Sequence, residues 1–185
     1  PMPVQFTDAS TGFRSGWAWF FGDETPWTLQ NASPGWTERE GHTTVVLPDA
    51  SIVLMGGPKI GSSNNETWRS TDNGVTWLLM NASSGWMARY GHTSVALSDG
   101  SIVLMGGYAK SGILAGERMN DTWISTDKGA TWTLVNTSSG WLVRSRHTSV
   151  ALPDDSIVLM GGQSGSSNLN DTWRSADRGA TWTRQ

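Results

Sequence analysis

The feature that most constrains this chain is its likeness to itself. His42, His92 and His147 each open a His-Thr-(Thr/Ser)-Val segment, spaced 50 and then 55 residues apart. Gly57, Gly107 and Gly162 each close a Ser-Ile-Val-Leu-Met-Gly-Gly segment with the same two spacings. Trp68, Trp123 and Trp173 are spaced 55 and then 50, as are Trp77, Trp132 and Trp182. The five extra residues of the middle copy therefore lie between Gly107 and Trp123, in the loop expected over Tyr108 to Asn120. A period of this size implies supersecondary units that bury their apolar faces against copies of themselves.

Each copy divides into four short strands. The first is His-Thr-Ser-Val-Ala-Leu, as at 92–97, rich in β-branched residues and bounded by turn formers. Pro48-Asp49, Ser98-Asp99-Gly100 and Pro153-Asp154 then make a tight turn. Ser-Ile-Val-Leu-Met follows; four apolar residues in succession imply a strand buried on both faces. Gly-Gly ends it. A polar loop leads to Asn-Asp-Thr-Trp at 120–123 and 170–173, and to Asn65-Glu66-Thr67-Trp68 in the first copy. The last strand is Thr-Trp-Thr-Leu-Val, as at 131–135. Helical periodicity is missing throughout. Two hairpins per copy fit an all-β fold, a β-propeller of four-stranded antiparallel blades. The expected organisation is one domain over 1–185, a length that suits one. It holds three full blades (36–85, 86–140, 141–185) after a degenerate N-terminal partial blade (1–35).

The connection between the third and fourth strands recurs as Ser70-Thr71-Asp72-Asn73-Gly74-Val75-Thr76-Trp77, as 125–132 and as 175–182. This Ser-x-Asp-x-Gly-x-Thr-Trp pattern resembles the Asp-box of sialidase-type propellers. Its physics is local: Asp folds back onto turn amides, Gly supplies a positive φ, and Trp buries its ring beneath the turn. The rest of the repeat resembles the Kelch family. The residues that carry the resemblance are the double Gly, the Asn-Asp-Thr-Trp segment, the fourth-strand Trp, and Arg39-Glu40-Gly41-His42 with Arg89-Tyr90-Gly91-His92. In the third copy Arg146 replaces that Gly, so a different turn is expected there. In such families these residues are structural, and propellers host many functions.

Chemistry is sparse. Asp72-Asn73-Gly74 opens like a calcium loop but lacks the remaining ligands. The three His occupy one equivalent position, one per blade, so they read as structural hydrogen-bonding groups beside the Arg, not as a convergent catalytic or three-His metal site. The sialidase resemblance implies an arginine cluster, a Tyr–Glu nucleophile pair and an Asp acid. Arg39, Arg89 and Arg144 are again one per blade, and two carboxylates flanking a glycosidic bond are not identifiable. No catalytic residue, metal or cofactor is therefore assigned. In near-identical copies, function belongs where the copies differ, on the loops after Gly-Gly. Tyr108, Glu117 and Arg118 in the longest loop are the candidate ligand-binding residues. Trp36, Trp86 and Trp141 read as packing between blades.

With 13 basic and 16 acidic residues, the chain gives no electrostatic case for nucleic acid. It has no Cys, so disulfides and thiolate metal sites are excluded. No apolar run is long enough for membrane insertion as a helix, and the sequence opens at Pro1 without a basic-then-apolar leader, so any signal peptide is expected to have been removed or never to have existed. Asn-x-Ser/Thr occurs at Asn31, Asn65, Asn81, Asn120, Asn136 and Asn170, the candidate glycosylation sites of a secreted or cell-surface protein. The partial blade includes strand candidates at Val4–Thr7 and Gly16–Phe21. Its Trp17, Trp19, Phe20 and Phe21 need cover, which makes them candidate assembly residues. Three closures are open: a small four-bladed ring, placed first because it needs no partner, two chains paired as halves of a larger ring, or a half blade completed by a neighbouring chain. The expectation for function is a non-enzymatic extracellular β-propeller with a structural, adhesive or self-assembling role. The alternative is a glycan or protein ligand bound as by a lectin, or a sialidase-like glycosidase.

Overall fold

The computed structural model describes residues 28–57, 64–109 and 116–185, and every regular element among them is β. The first copy gives β1 (Thr43–Val46), β2 (Ile52–Met55), β3 (Thr67–Ser70) and β4 (Leu78–Asn81), an antiparallel sheet in that order. The second gives β5 (Arg89–Tyr90), β6 (Thr93–Ala96), β7 (Ile102–Ala109), β8 (Glu117–Ser125) and β9 (Thr133–Asn136); β6 to β9 repeat the order of the first sheet, and β5 pairs the far end of β7. The third gives β10 (Thr148–Ala151), β11 (Ile157–Met160), a small hairpin of β12 (Gln163–Ser164) and β13 (Ser167–Asn168), then β14 (Thr172–Ser175) and β15 (Thr183–Arg184). The registers are equivalent: Thr43 faces Met55, Thr93 faces Met105 and Thr148 faces Met160.

The Ile-Val-Leu-Met strands are central because they are apolar on both faces. Ile102, Val103, Leu104 and Met105 are all fully buried. Strand alternation divides them between two cores. Ile102 and Leu104 pack with Val45, Leu47, Val53 and Met55 of the first sheet and with Trp86. Val103 and Met105 pack with Val95, Leu97 and, from the third sheet, Ile157, Leu159 and Trp141. The second sheet thus shows one face to the first sheet and the other to the third. Trp86 and Trp141 fill the space between, as expected of them.

The first strands lie side by side, β1 beside β6 and β6 beside β10. Backbone bonds lace neighbouring sheets together: Gly91 N–H donates to Gly41 O at 2.9 Å and Arg146 N–H to Gly91 O at 2.7 Å. Gly57 N–H donates to Arg89 O at 3.0 Å and Gly107 N–H to Arg144 O at 2.9 Å. Arg146 corrects one expectation. It holds φ 58°, against 59° and 60° for Gly41 and Gly91, so the third copy keeps the same turn with a non-glycine in the left-handed region. The hydrogen bond its amide makes fixes that conformation.

The long loop is also shorter than expected. β7 continues through Gly106 and Gly107 to Ala109, and β8 starts at Glu117. Tyr108, Glu117 and Arg118 are strand residues, with a register shift between Met105 and Gly107 where the double Gly bends the ladder. The expected strands at Val4–Thr7 and Gly16–Phe21, with Trp17, Trp19, Phe20 and Phe21, lie outside the described residues.

Candidate functional site

The side chains with catalytic potential fall into three repeated sets. In the first, an arginine grips the carboxylate that precedes the third-strand Trp. Arg89 is fully buried and bonds both oxygens of Asp121 at 2.6 and 2.8 Å. Its remaining donors meet Met87 O and Gly106 O. Arg144 does the same with Asp171, Leu142 O and Gly161 O. The Arg144 guanidinium, outweighing partial burial, holds the Asp171 carboxyl down at about 2. Arg39 makes one contact with Glu66, at 2.9 Å. In each set the indole of Trp68, Trp123 or Trp173 donates to the same carboxylate. With two N–H bonds on a carboxylate and two on backbone carbonyls, neither Arg89 nor Arg144 has a fork left for a substrate carboxylate.

The second set is the histidines. The Nε2 atoms of His92 and His147 lie 2.9 and 2.8 Å from the hydroxyls of Thr43 and Thr93, each on the preceding sheet. Their rings lean on Trp86 and Trp141, with centroids 6.2 Å apart in both pairs. Burial, then the Arg89 charge, lowers the His92 pKa to about 3. Burial, then Arg144, lowers that of His147 to about 3. Both are neutral sheet-to-sheet links at neutral pH. A general base poised near the working pH needs the opposite tuning. The expected bond beside the Arg is replaced by one to the neighbouring sheet, and the Arg acts on the ring only through its charge.

The third set is the Ser-x-Asp-x-Gly-x-Thr-Trp turn. Asp72 accepts from Thr76 N at 2.8 Å, Thr76 Oγ1 at 2.6 Å and Ser70 Oγ at 2.8 Å, and Gly74 N donates to Ser70 Oγ. Asp127 and Asp177 repeat the pattern. These hydrogen bonds lower all three carboxyl pKa values, against burial where it is felt. Among the described residues no three His, Asp or Glu come together as a metal site.

The sequon asparagines are mostly occupied. Nδ2 of Asn31, Asn81 and Asn136 donates to Val75 O, Ala130 O and Ala180 O of the following turn, at 2.6 to 2.8 Å. Asn65 and Asn120 donate to Trp86 O and Trp141 O, both at 3.0 Å. Asn170 is exposed, and its amide has no partner among the described residues.

Tyr108, Arg118 and Glu117 are brought to one hairpin end but not to one face. Tyr108 pairs Arg118 across β7 and β8, and the guanidinium carbon lies 5.5 Å from the ring centre. Glu117 pairs Ala109 and projects to the other side of the ladder. Tyr90 on β5 lies 5.3 Å from Tyr108, ring to ring, and Arg118 Nη2 reaches Gln163 Oε1 at 3.2 Å. Gly116 sits against the Tyr108 ring, where a larger side chain would collide. The result is a half-exposed aromatic pair with a cation.

Two kinds of partner escaped the sequence reading: the carboxylates Glu66, Asp121 and Asp171, and the threonines Thr43 and Thr93. The signal for the first was available, since an acid recurs before the third-strand Trp whenever an Arg precedes the first strand. The threonines carried none, because a Thr in a strand is expected on β-propensity alone. No protein-family model matches the chain, and no curated protein matches it.

Proposed function

We propose that the three sheets are blades of a Kelch-like β-propeller with Asp-box turns, and that the chain is a non-enzymatic extracellular scaffold with a structural or adhesive role. One observation carries this reading. His92, His147, the arginines and the turn aspartates that catalysis would use are spent on hydrogen bonds within and between sheets. The arginine and aspartate contacts recur in all three sheets and the histidine links at both junctions, which suits a load spread over a scaffold better than a single reacting centre. Assays with sialosides and aryl glycosides test it. No turnover above the uncatalysed rate is expected, and turnover abolished by Arg89→Lys overturns the reading. Secretion through a glycosylating compartment predicts sugar on at least one of the six sequon asparagines. Intact mass before and after deglycosylation reads this.

A second reading, a glycan or protein ligand held at the Tyr108 hairpin, is favoured by the Tyr90–Tyr108–Arg118 cluster. Aromatic faces beside a guanidinium suit sugar rings and anionic groups. Glycan-array binding that disappears in Tyr108→Ala supports it.

A further inference from the structure

We propose that the face of the third sheet turned away from the second docks on the face of the first sheet turned away from the second, in a second copy of this chain. This rests on the scaffold reading above and adds to it the surface and the partner.

The argument starts from the two sheet-to-sheet junctions already present. In each, the earlier sheet gives the side chains equivalent to Val45, Leu47, Val53 and Met55, and these are buried. On the third sheet the equivalents are Val150, Leu152, Val158 and Met160. Val150 is 43% exposed and Leu152 38%, against 8% and 3% for Val45 and Leu47. The opposite face of the first sheet is open at Val46, which is 66% exposed while its equivalents Ala96 and Ala151 pack into the two cores, although Leu54 on that face is only 2% exposed. One end of the stack therefore carries half of a junction, and the other end carries the complementary half.

The polar groups match as well. At the internal junctions His92 and His147 reach Thr43 and Thr93, so His42 of the copy would reach Thr148. Gly91 N and Arg146 N donate to Gly41 O and Gly91 O, so Gly41 N would donate to Arg146 O. Gly57 N and Gly107 N donate to Arg89 O and Arg144 O, so Gly162 N would donate to Arg39 O. Asn65 and Asn120 donate to Trp86 O and Trp141 O, so Asn170 would donate to Trp36 O. Each of these eight end groups lacks its equivalent partner among the described residues. Packing agrees: Gly129 and Gly179 lie against Thr67 and Thr122, whereas Gly74 has open space and Thr172 is only half-buried.

The fit is weaker than at the internal junctions in two respects. Pro34 stands where Ser84 and Ser139 donate to Asn65 O and Asn120 O. Residues 28–30 of the incoming copy and Thr183–Gln185 are repeat-equivalent, so they contend for the outer edge of β14, which β15 holds by two residue pairs only. The contact is head-to-tail, so it gives a closed ring or an open series according to the rotation between sheets.

The chain has no cysteine, which permits a direct test. Ser94 Oγ lies 2.8 Å from Thr43 Oγ1 across the first junction. The doubly substituted Thr43→Cys, Ser94→Cys protein is the internal control and should form a disulfide within the chain. Thr44→Cys with Thr148→Cys places the equivalent pair across the proposed contact and should give disulfide-linked dimers. Native mass spectrometry of the unsubstituted chain should show multiples of 20.0 kDa that increase with concentration. Val150→Arg, at an exposed position, should weaken association by about tenfold or more while leaving the fold intact. A monomer at every concentration overturns the proposal, whether residues 1–27 cover the first sheet or both faces stay wet. Association untouched by Val150→Arg, or no interchain disulfide while the control forms, also overturns it. Glycosidase turnover would instead sink the scaffold reading and leave the docking result standing.

Discussion

Replacing Arg89 by alanine tests the buried clamp at its tightest point. The substitution removes a fully buried guanidinium and leaves Asp121, 7% exposed, with Trp123 Nε1 as its remaining side-chain donor. It also strips a donor from Met87 O and from Gly106 O. Breaking a buried pair from one side costs about 3–5 kcal/mol, because a charge is left unpaired in low dielectric. Glu66 is 30% exposed on its side chain and meets Arg39 through one contact, so solvent screens the loss there. Arg39→Ala should cost only about 1–2 kcal/mol. Urea denaturation followed by tryptophan fluorescence measures both. Arg89→Met with Asp121→Leu should recover most of the loss, since the charge goes with its partner. The clamp reading is refuted if Arg89→Ala costs under about 1 kcal/mol, or no more than Arg39→Ala.

Acid should weaken the fold in a stated window. His92 and His147 have folded pKa values of about 3, below the ordinary 6.5, so the unfolded chain binds more protons between those limits. Their contribution is complete above pH 6.5 and is lost as pH falls towards 3, at about 1.4 kcal/mol per pH unit per histidine. Urea midpoints from pH 7 to pH 4 should show this slope, and His92→Gln should reduce it by one proton. Gly129→Ala should destabilise by about 2–4 kcal/mol, because φ is 90° and the new methyl meets the buried Thr67. Gly74→Ala, at φ 88° with open space, should cost only about 1 kcal/mol in the monomer by the same measurement. Arg146→Gly should stabilise by up to about 1 kcal/mol by relieving φ 58°, read as a rise in urea midpoint.

The strands were legible because their code is local. Ile-Val-Leu-Met between an Asp-containing turn and Gly-Gly reads as a strand buried on both faces; β2, β7 and β11 form there, and Ile102–Met105 of β7 is buried throughout, whereas Val158 and Met160 of β11 are half-buried. The Ser-x-Asp-x-Gly-x-Thr turns were legible for the same reason, since the bonds of their Ser, Asp and Thr side chains close within six residues. What joins one sheet to the next was not legible. The partner of His92 is Thr43, 49 residues away, and that of Arg89 is Asp121, 32 away. Such pairs depend on the order and spacing of whole sheets. Arg146 misled for a related reason: a turn held from outside by a neighbouring backbone tolerates a residue that local propensity disfavours. The Tyr108 stretch was read as loop because Gly-Gly ends the equivalent strands β2 and β11. In the middle copy the ladder resumes beyond the bend, with Ala109 opposite Glu117.

The account turns on whether the repeated histidines are buried links between sheets or groups free to exchange protons. Nitrogen-resolved NMR of histidine-labelled protein, followed from pH 8 to pH 4, decides between these. His92 and His147 should stay neutral throughout, each in one tautomer, with ring signals that hardly move. Titration of either ring near pH 6.5, the ordinary value for a histidine in contact with water, would contradict the account.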